Sequence, residues 1–398
     1  MERSQRLKLS ISLYVNYLVH GMAIVILAQN MTALSRQWGT SAAGVSFVIS
    51  SLGIGRLIVL YISGVLSDKY GRKPFVLLGI LTYIPFFIGI TFSHNMYVAY
   101  LFGILAGMAN SFLDSGTYPA LMELYPENPT TANILIKAFA SIGELILPIL
   151  VTMVEHFDWW FGVSFMVCTI IFAINFFFIS RSTFPKLTTV PKPKKDTADE
   201  VVKEPLSSNQ KVNAIVLTIY GYISMSTFYL VSQWLTKYGQ AVLNMNTAHA
   251  RYLVSIYSVG SIVGVLVSAL LTGRLHMRST NLMLISTFVS FMTLMAISFI
   301  LTPVVLTVGS FLIGFSAAGG VMQIGLTIMS ELFPHRKGLV TGIYYTAGSI
   351  SSFTIPIITG YLFKISIHSI MVFDCVIAAI GFLLGIIIFF NTKKQAII

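Results

Sequence analysis

The stretch GVLSDKYGRKP, residues 64–74, is a short charged segment between two long apolar segments. Gly71 has no Cβ and is free to adopt a positive φ, so the stretch predicts a tight turn between two helices. Asp68 is an acid, whereas Arg72 and Lys73 are bases, and such charges beside a turn can pair with charges on neighbouring helices. The stretch therefore predicts two helices joined by a turn that ion pairs hold in place.

Apolar segments like the two that flank this turn recur along all 398 residues. The chain is 56% hydrophobic and 10% charged, and its mean hydropathy of +0.82 excludes an ordinary soluble domain. A run of about 20 apolar residues can cross a hydrocarbon core of about 30 Å. We predict an all-α membrane protein with twelve transmembrane helices, at residues 9–34, 44–66, 75–93, 97–122, 132–155, 160–180, 212–236, 248–272, 280–301, 303–330, 338–363 and 367–391.

The basic residues predict the orientation of these helices. Most of the 25 Lys and Arg residues lie near the N-terminus, in the even-numbered connections or near the C-terminus, which predicts cytoplasmic termini. The net charge of +11 is explained by this topology, so no nucleic-acid partner is expected. The first run is too long for a signal peptide. Cys168 and Cys375 fall inside predicted spans, so no disulfide framework is indicated.

Residues 181–211 differ from the rest of the chain because they are polar, charged and contain four prolines. Such a segment cannot bury a hydrophobic core and predicts a cytoplasmic linker. It divides the chain into an N-terminal bundle, residues 1–180, and a C-terminal bundle, residues 212–398, with six predicted helices in each.

A repeat supports this division. ELYP at 123–126 recurs as ELFP at 331–334, and SIGELILPI at 141–149 recurs as SISSFTIPI at 349–357, both with an offset of 208 residues. The alternative is a chance match in hydrophobic sequence. Membrane proteins built from repeated helical units commonly bind a substrate near the midplane between the units and alternate its access by rocking.

Charged side chains within the predicted spans are candidate functional residues, because each costs on the order of 3 kcal/mol at the centre of a membrane helix. We expect Arg56 to pair with Asp114, with snorkelling towards the interface as the alternative. We expect a structural role for Asp374 in the last span. The full set is Arg56, Asp114, Lys137, Glu144 and Asp374.

Asp114 is the strongest candidate for proton coupling. It shares a helical face with Asn110 and Thr117, and this face is expected to point into the bundle. A carboxylate withdrawn from water can take up and release a proton in the physiological range. The alternative is a structural ion pair with Arg56 or Lys137.

The fifth predicted span has a polar stripe that contains Lys137, Ser141 and Glu144. Glu144 is a second candidate for proton coupling, and Lys137 is a candidate for substrate binding. The two can instead neutralise each other. The corresponding stripe in the eleventh span is uncharged and contains Tyr345, Ser349, Ser352 and Pro356.

Amide, hydroxyl and aromatic side chains near the midplane predict a binding site for a neutral polyhydroxylated solute. The alternative is interhelical hydrogen bonding, worth about 0.6 kcal/mol each, together with aromatic belts. The predicted substrate-binding residues are Asn16, His20, Asn110, Lys137, Tyr220, Tyr229, Gln233, Trp234, Gln323, Tyr345 and Ser349.

The charges around residues 64–74 predict a cytoplasmic gate, with anchoring of the topology as the alternative. Glu123 and Glu331, which begin the repeated ELYP and ELFP segments, are expected at the same membrane face. The second-half segment ALLTGRLHMR, residues 269–278, has no acid. The predicted gate residues are Asp68, Gly71, Arg72, Lys73, Glu123 and Glu331.

The stretch at 64–74 resembles the G-x-L-a-D-x-x-G-R-K signature of the major facilitator superfamily, and the repeated six-helix units extend the resemblance to the whole chain. It implies two pseudo-symmetric six-helix bundles and secondary transport. LDSGTYP at 113–119 resembles the fucose/galactose/glucose:proton symporter and TsgA-like branch, which implies proton coupling at Asp114. That branch's symporters also carry an Asp in span one, where this chain has Ala28, Gln29 and Asn30.

We therefore predict a proton-coupled transporter of a small polar solute in the cytoplasmic membrane, with sodium coupling as an open alternative. A proton-coupled drug or metabolite exporter is the other candidate, although SIGELILPILVTM lacks the G-x-x-x-G-P-x-x-G-G stretch typical of drug antiporters. The sequence has no P-loop or metal-ligand cluster, so we expect neither an enzyme nor a cofactor. The expected partners are the substrate, protons and lipid, and the expected state is a monomer.

Overall fold

The computed structural model describes residues 3–127, 129–185, 208–275, 277–319, 321–332 and 337–395. These residues form fourteen α-helices and one π-helical segment. The first seven are α1 (Arg3–Gln29), α2 (Met31–Gln37), α3 (Ala42–Tyr70), α4 (Arg72–Phe92), α5 (Met96–Leu124), α6 (Pro129–His156) and α7 (Val163–Arg181). The others are α8 (Ser208–Leu243), α9 (Thr247–Gly273), α10 (Ser279–Phe299), α11 (Pro303–Ile313), the π segment (Gly314–Ala318), α12 (Val321–Leu332), α13 (Lys337–Ile365) and α14 (Ile367–Gln395).

Ten helices in the described ranges are long and apolar enough to cross a membrane, which confirms the prediction of an all-α membrane protein. They correspond to predicted spans one to nine and twelve. The eleventh predicted span corresponds to the 29-residue helix α13. Of the predicted linker, residues 186–207 lie outside the described residues.

The tenth predicted span, 303–330, is interrupted in the structure. It consists of α11, the π segment and α12, because α9 packs backbone against backbone on this segment. A Cβ on Gly260 would overlap the carbonyl oxygen of Phe311, and a Cβ on Gly264 would overlap the carbonyl oxygen of Phe315. A π segment adds a residue to a helical turn, and apolar composition alone does not encode this irregularity.

Small residues allow the helices to pack closely. A Cβ on Gly21 of α1 would overlap the carbonyl group of Ala140 in α6, and a Cβ on Gly107 of α5 would overlap the carbonyl oxygen of Leu52 in α3. Membrane helices gain their association mainly from such close packing, since lipid tails are as apolar as leucine side chains. These contacts join α1 to α6 and α3 to α5, and α3, α5 and α6 carry four of the five charged candidates.

The stretch at 64–74 forms the expected turn. α3 ends at Tyr70, α4 begins at Arg72, and Gly71 between them has φ 93° and ψ 167°. Arg72 Nε donates a hydrogen bond of 3.0 Å to Glu123 of α5, and Arg72 Nη1 donates one of 2.5 Å to Asp68. The turn is therefore tied to a third helix by an ion pair.

The N-terminal helices, α1–α7, contact the C-terminal helices, α8–α14, chiefly through α3 with α13, α6 with α9 and α1 with α8. The Ser46 hydroxyl of α3 donates to the Pro356 carbonyl of α13 at 2.7 Å, and the Ser255 hydroxyl of α9 donates to the Leu145 carbonyl of α6 at 2.9 Å. These contacts lie in the parts of the helices that are distant from residues 64–74. Pro356 and its repeat counterpart Pro148 both lie inside long helices.

Candidate functional site

Asp114 of α5 lies where three helices converge. The Tyr17 hydroxyl of α1 donates to Asp114 Oδ1 at 2.6 Å, and Arg56 Nη2 of α3 donates to Asp114 Oδ2 at 3.1 Å. The charge of the carboxylate is therefore balanced by the guanidinium. The side chains of Asp114 and Arg56 are 19% and 15% exposed, so the pair remains partly accessible inside the bundle.

Aromatic side chains surround this pair. The ring of Tyr17 meets Tyr118 edge to face, with 5.7 Å between ring centroids, and meets His20 in the same way at 5.6 Å. His20 Nδ1 lies 2.6 Å from the Tyr83 hydroxyl and shares a hydrogen bond with it. Tyr17 thus links the carboxylate of Asp114 to a second polar pair.

The stripe on α6 faces the C-terminal helices. Lys137 Nζ lies 3.8 Å from the Glu144 carboxylate, and it also lies 4.5 Å from the centre of the Phe228 ring on α8. The hydroxyl oxygens of Ser141 and Ser261 of α9 are 3.3 Å apart. Glu144 is fully buried, and its oxygens complete no hydrogen bond within the described residues.

Several other predicted substrate-binding residues border this interior. Tyr229 is buried, and its hydroxyl has no hydrogen-bond partner within the described part of the chain. Tyr345 is half-buried and close enough to interact electrostatically with Tyr118. Asn110 is half-buried one turn before Asp114. Residues from both halves of the sequence therefore border the interior that holds Asp114.

Some predicted binding residues instead hold helices together. Asn16 Oδ1 accepts a hydrogen bond of 2.7 Å from Asn175 of α7, and the Trp234 indole donates to the Thr359 hydroxyl of α13 at 2.9 Å. The Ser349 hydroxyl donates to the backbone carbonyl one turn earlier, at 2.9 Å. In this conformation these three polar groups have protein partners.

Gln233 Nε2 of α8 donates to the Ile24 carbonyl of α1 at 2.8 Å and so joins the two halves. Tyr220 is buried among the C-terminal helices, where it lines a small cavity. The side chain of Gln323 lies outside the described residues.

The predicted gate residues are distributed around the turn at 64–74. Lys73 Nζ donates to the carbonyls of Ser180 and Ser182 at the end of α7, at 2.8 and 3.0 Å. Glu331 is exposed at the end of α12 and forms no ion pair with a described residue. The N-terminal part of the gate is thus connected by hydrogen bonds and ion pairs within its own half.

At the opposite end of the molecule, polar contacts that were not predicted from the sequence join the two halves. Arg251 of α9 forms an ion pair with Glu155 of α6 and is only 4% exposed. Lys237 Nζ of α8 donates to the Thr32 hydroxyl of α2 at 2.7 Å. We call these two contacts the outer clasp, because they lie at the end of the molecule that is distant from residues 64–74.

Tyr17 is another functional candidate that was not predicted from the sequence. It lies three residues before His20, so the two share a helical face, and this spacing was the available signal. The outer clasp had no comparable signal, because Glu155 and Arg251 lie far apart in sequence. Within the described ranges no group of three or more His, Cys, Asp or Glu could hold a metal ion.

The turn at Gly71 yields a testable prediction. Its φ of 93° and ψ of 167° lie in a region that is essentially restricted to glycine, so Gly71→Ala is expected to lower the free energy of unfolding by about 1–3 kcal/mol. The melting temperature of the detergent-purified protein measures this effect. Gly64→Ala is the matched control, because a Cβ at helical Gly64 meets no atom within 4 Å. Equal melting temperatures for the two variants would contradict the assigned strain.

These features describe a polytopic membrane protein whose helices carry ion pairs in its interior. The family model for the Major Facilitator Superfamily matches residues 13–354 and 306–397, and the chain belongs to this superfamily. The protein is therefore a membrane transporter, and the predicted membership, like the prediction that it is not an enzyme, is confirmed.

Particular relatives extend this result. The chain is 50% identical over 390 residues to the inner membrane transport protein YdiM of Escherichia coli (strain K12), covering 97% of this chain and 95% of YdiM. It is 22% identical over 406 residues to the TsgA homolog of Buchnera aphidicola subsp. Schizaphis graminum (strain Sg), covering 99% of each chain. The TsgA-like resemblance is thereby confirmed. A crystal structure of a point mutant of the nucleoside transporter NupG shares the fold, with a TM-score of 0.76 and 14% identity over 97% of this chain and 100% of NupG.

Proposed function

We propose that the protein is a proton-coupled secondary transporter that moves a small polar solute across the cytoplasmic membrane by alternating access. In this proposal twelve spans form two six-helix bundles, residues 1–180 and 212–398. The linker at 181–211 and both termini are cytoplasmic. The name of YdiM supports the inner membrane as the location.

The observation that carries this proposal is the uneven distribution of contacts between the two halves. The contacts α3 with α13, α6 with α9 and α1 with α8 involve residues distant from the turn at 64–74. The outer clasp closes the same end. Because the basic residues predict that 64–74 is cytoplasmic, this conformation corresponds to a transporter that is closed to the outside.

Proton coupling rests on the chemistry of Asp114. When its carboxylate is charged, it holds the Arg56 guanidinium on α3 and the Tyr17 hydroxyl on α1, as the observed distances of 3.1 and 2.6 Å allow. A proton on Asp114 would cancel the attraction to Arg56. Protonation would therefore loosen α5 from α3 and give the two access states different proton affinities, which coupling requires.

The proposed substrate is neutral and rich in hydroxyl groups. Lys137 and Glu144 balance each other's charge, as do Arg56 and Asp114, so the interior offers no unbalanced charge from these pairs. The rings of Tyr118 and His20 and the unpartnered hydroxyl of Tyr229 offer stacking surfaces and hydrogen bonds. Sugars, polyols and nucleosides have this chemistry, and nucleosides are included because NupG, which shares the fold, is a nucleoside transporter.

A proton-coupled efflux antiporter for cationic drugs or metabolites is the second candidate. The observation that favours it is the presence of interior acids, since Asp374 is buried without a basic partner among the described residues. Asp114 and Glu144 each have a basic partner, however, and a cationic substrate would have to displace that partner first. The charge balance at Asp114 and Glu144 therefore favours the neutral solute.

A ligand-induced thermal-shift screen tests the proposed function. The purified protein is exposed to panels of sugars and polyols, of nucleosides, and of lipophilic cations. We expect a saturable rise in melting temperature of about 2 °C with a member of the first two panels at ten times its Kd. A response to lipophilic cations alone would contradict the neutral-solute proposal and favour the antiporter.

The screen has a matched pair of variants. Tyr229→Phe removes the hydroxyl that lacks a partner among the described residues and is expected to weaken the ligand response. Tyr361→Phe makes the same chemical change at an exposed tyrosine and is expected to preserve it. Equal ligand responses in the two variants would exclude the Tyr229 hydroxyl from the substrate site.

A further inference from the structure

An open cavity of about 720 Å³ lies at the end of the molecule that is distant from residues 64–74. Both halves line it, because α2 and the end of α6 meet the connection between α8 and α9 there. Pockets for small molecules typically have about 300–1,000 Å³, so this cavity has room for one small solute. We call it the outer cavity, and its lining includes Arg36, Asp158 and Trp159 from the N-terminal half and Gln240, Asn246 and Thr247 from the C-terminal half.

The outer clasp forms the inner side of this cavity. Glu155 and Arg251 both line it, and Arg251 is buried, whereas Asp158 and Trp159 are exposed at the rim. The outer cavity therefore lies on the solvent side of the clasp. It is separate from the interior that holds Asp114.

The charges that line the outer cavity balance one another. Two are basic, Arg36 and Arg251, and two are acidic, Glu155 and Asp158. Arg251 and Glu155 pair with each other, whereas Arg36 and Asp158 form no ion pair with a described residue. The charged groups of Arg36 and Asp158 can therefore hydrogen-bond to a ligand, and a neutral ligand leaves the balance unchanged.

Trp159 supplies an aromatic face to the outer cavity. It is 56% exposed, and its ring stacks on Phe157 with 5.4 Å between ring centroids. The Trp159 backbone N–H donates to the Val154 carbonyl at 2.9 Å, and Asp158 has φ 53°, a left-handed conformation that aspartate tolerates. The loop after α6 is thus fixed by its own contacts, which lowers the ordering cost when a ligand binds.

An aromatic belt at the membrane interface is the other explanation for exposed tryptophans, and it fits the neighbouring Trp160. The Trp160 ring packs against Phe92 of its own half, with 5.6 Å between ring centroids. Trp159 differs, because it lines a cavity together with polar side chains of the other half. Two adjacent tryptophans therefore have different surroundings, and Trp160 is a matched control for Trp159.

The C-terminal half supplies hydrogen-bonding groups to the outer cavity. Asn246 Oδ1 accepts a hydrogen bond of 2.8 Å from the His249 backbone N–H, which leaves the amide NH₂ of Asn246 to donate to a ligand. Gln240 is half-buried near the end of α8, and Thr247 begins α9. Amide and carboxylate groups bind hydroxyls, and an aromatic ring offers apolar contact to the carbon-bound face of a sugar ring.

We propose that the outer cavity is a binding site for a neutral, polyhydroxylated solute, such as a mono- or disaccharide, held between the two halves. The balanced charges disfavour an ion, and the many hydrogen-bonding groups disfavour a purely apolar ligand. The inference goes beyond the proposed function, because this site lies outside the clasp. It does not depend on which solute the interior carries.

A solute in the outer cavity would contact both halves and stabilise the conformation in which they meet at this end. Separation of the halves would divide the site and release the solute. A high external concentration of solute is therefore expected to delay the opening of this end.

The first test is a titration of the tryptophan fluorescence of the full-length purified protein. The probes are D-glucose, D-galactose, D-mannitol and sucrose, with sodium gluconate and choline chloride as charged counterparts. We expect a saturable change with at least one neutral probe, which is lost in Trp159→Phe and kept in Trp160→Phe. No saturable change with any neutral probe, the same change in Trp159→Phe, or tighter binding of a charged probe than of every neutral one overturns the proposal.

Further variants separate the outer cavity from the interior. Arg36→Gln and Asp158→Asn are each expected to weaken the apparent affinity about tenfold, and asparagine tolerates the left-handed conformation at residue 158. Tyr229→Phe, which alters the interior, is expected to keep the fluorescence response. A response that disappears in Tyr229→Phe and persists in Arg36→Gln and Asp158→Asn would assign the solute to the interior and overturn the proposal.

A cysteine at residue 236 tests the contact with both halves, since Thr236 is buried. At ten times the Kd of the neutral probe, maleimide labelling of this cysteine is expected to slow about tenfold. Adding Asp158→Asn should reduce this slowing to about twofold at the same probe concentration, because the affinity is weaker. An unchanged labelling rate at saturating probe, or equal slowing with and without Asp158→Asn, would overturn the proposed bridging of the two halves.

Discussion

Asp114→Asn is expected to abolish the accumulation of substrate against a gradient while counterflow exchange continues. An asparagine can still accept the hydrogen bond that Tyr17 donates over 2.6 Å, so the helices remain joined. It cannot take up a proton, so a pH gradient has no means of driving the solute. The accumulation ratio should fall from up to about tenfold per pH unit to unity. Uptake into proteoliposomes with an imposed pH gradient, set beside exchange without one, measures both quantities.

The control for Asp114→Asn is Glu127→Gln. Glu127 is an exposed acid that pairs with Arg6 at 2.9 Å, and exposed pairs contribute little to stability. This variant is expected to accumulate substrate normally. Accumulation that persists in Asp114→Asn would show that Asp114 is structural. Loss of both accumulation and exchange would point to Arg56 left without its counter-charge, and the double variant Arg56→Gln, Asp114→Asn would then be expected to recover exchange.

The turn and the helices were predictable because their causes are local. Gly71 between a long apolar run and two basic residues predicts a tight turn, and the structure has φ 93° there. The apolar runs predict the ten membrane-length helices for the same reason, since length and composition decide them. The π segment at 314–318 was not predictable in this way, because it depends on the approach of α9 through Gly260 and Gly264.

The candidate site was only partly predictable, because helical spacing identifies a face and not the partner on another helix. Asp114 was recognised from its position, and the pairing with Arg56 was expected, but Tyr17 was missed. The role of Trp234 depends on a different helix, since its indole nitrogen donates to Thr359. Such contacts between distant segments follow from the packing of the helices, which a single sequence does not specify.

Removing the outer clasp is the second change with a large expected effect. Arg251 is 4% exposed, whereas its partner Glu155 in the other half is 49% exposed. Leaving the buried guanidinium without its charged partner costs about 1–3 kcal/mol. Glu155→Gln should therefore destabilise the conformation closed at this end and shift the population towards one in which this end is open.

The population shift can be read from the reactivity of a cysteine placed behind the clasp. Thr236 is buried and accepts a hydrogen bond from Gln29 at 3.1 Å, so Thr236→Cys reports opening. The natural cysteines, Cys168 and Cys375, are both buried. They are replaced by alanine so that only the introduced cysteine reacts with maleimide. A cost of about 1–3 kcal/mol corresponds to a change of about 5- to 150-fold in the equilibrium, so maleimide labelling should accelerate by up to that factor.

The charge-swapped variant Glu155→Arg, Arg251→Glu is the decisive control for the outer clasp. It restores opposite charges across the two halves and is expected to return labelling of the cysteine at 236 towards the slow rate. Lys364→Gln removes a positive charge that lies near the exposed ring of Tyr361 instead and should leave the labelling rate unchanged. If the swapped protein labels as fast as Glu155→Gln, the attraction between residues 155 and 251 does not hold this end closed. Slow labelling in the swap and fast labelling in the single variant would show that the attraction between residues 155 and 251 holds this end closed.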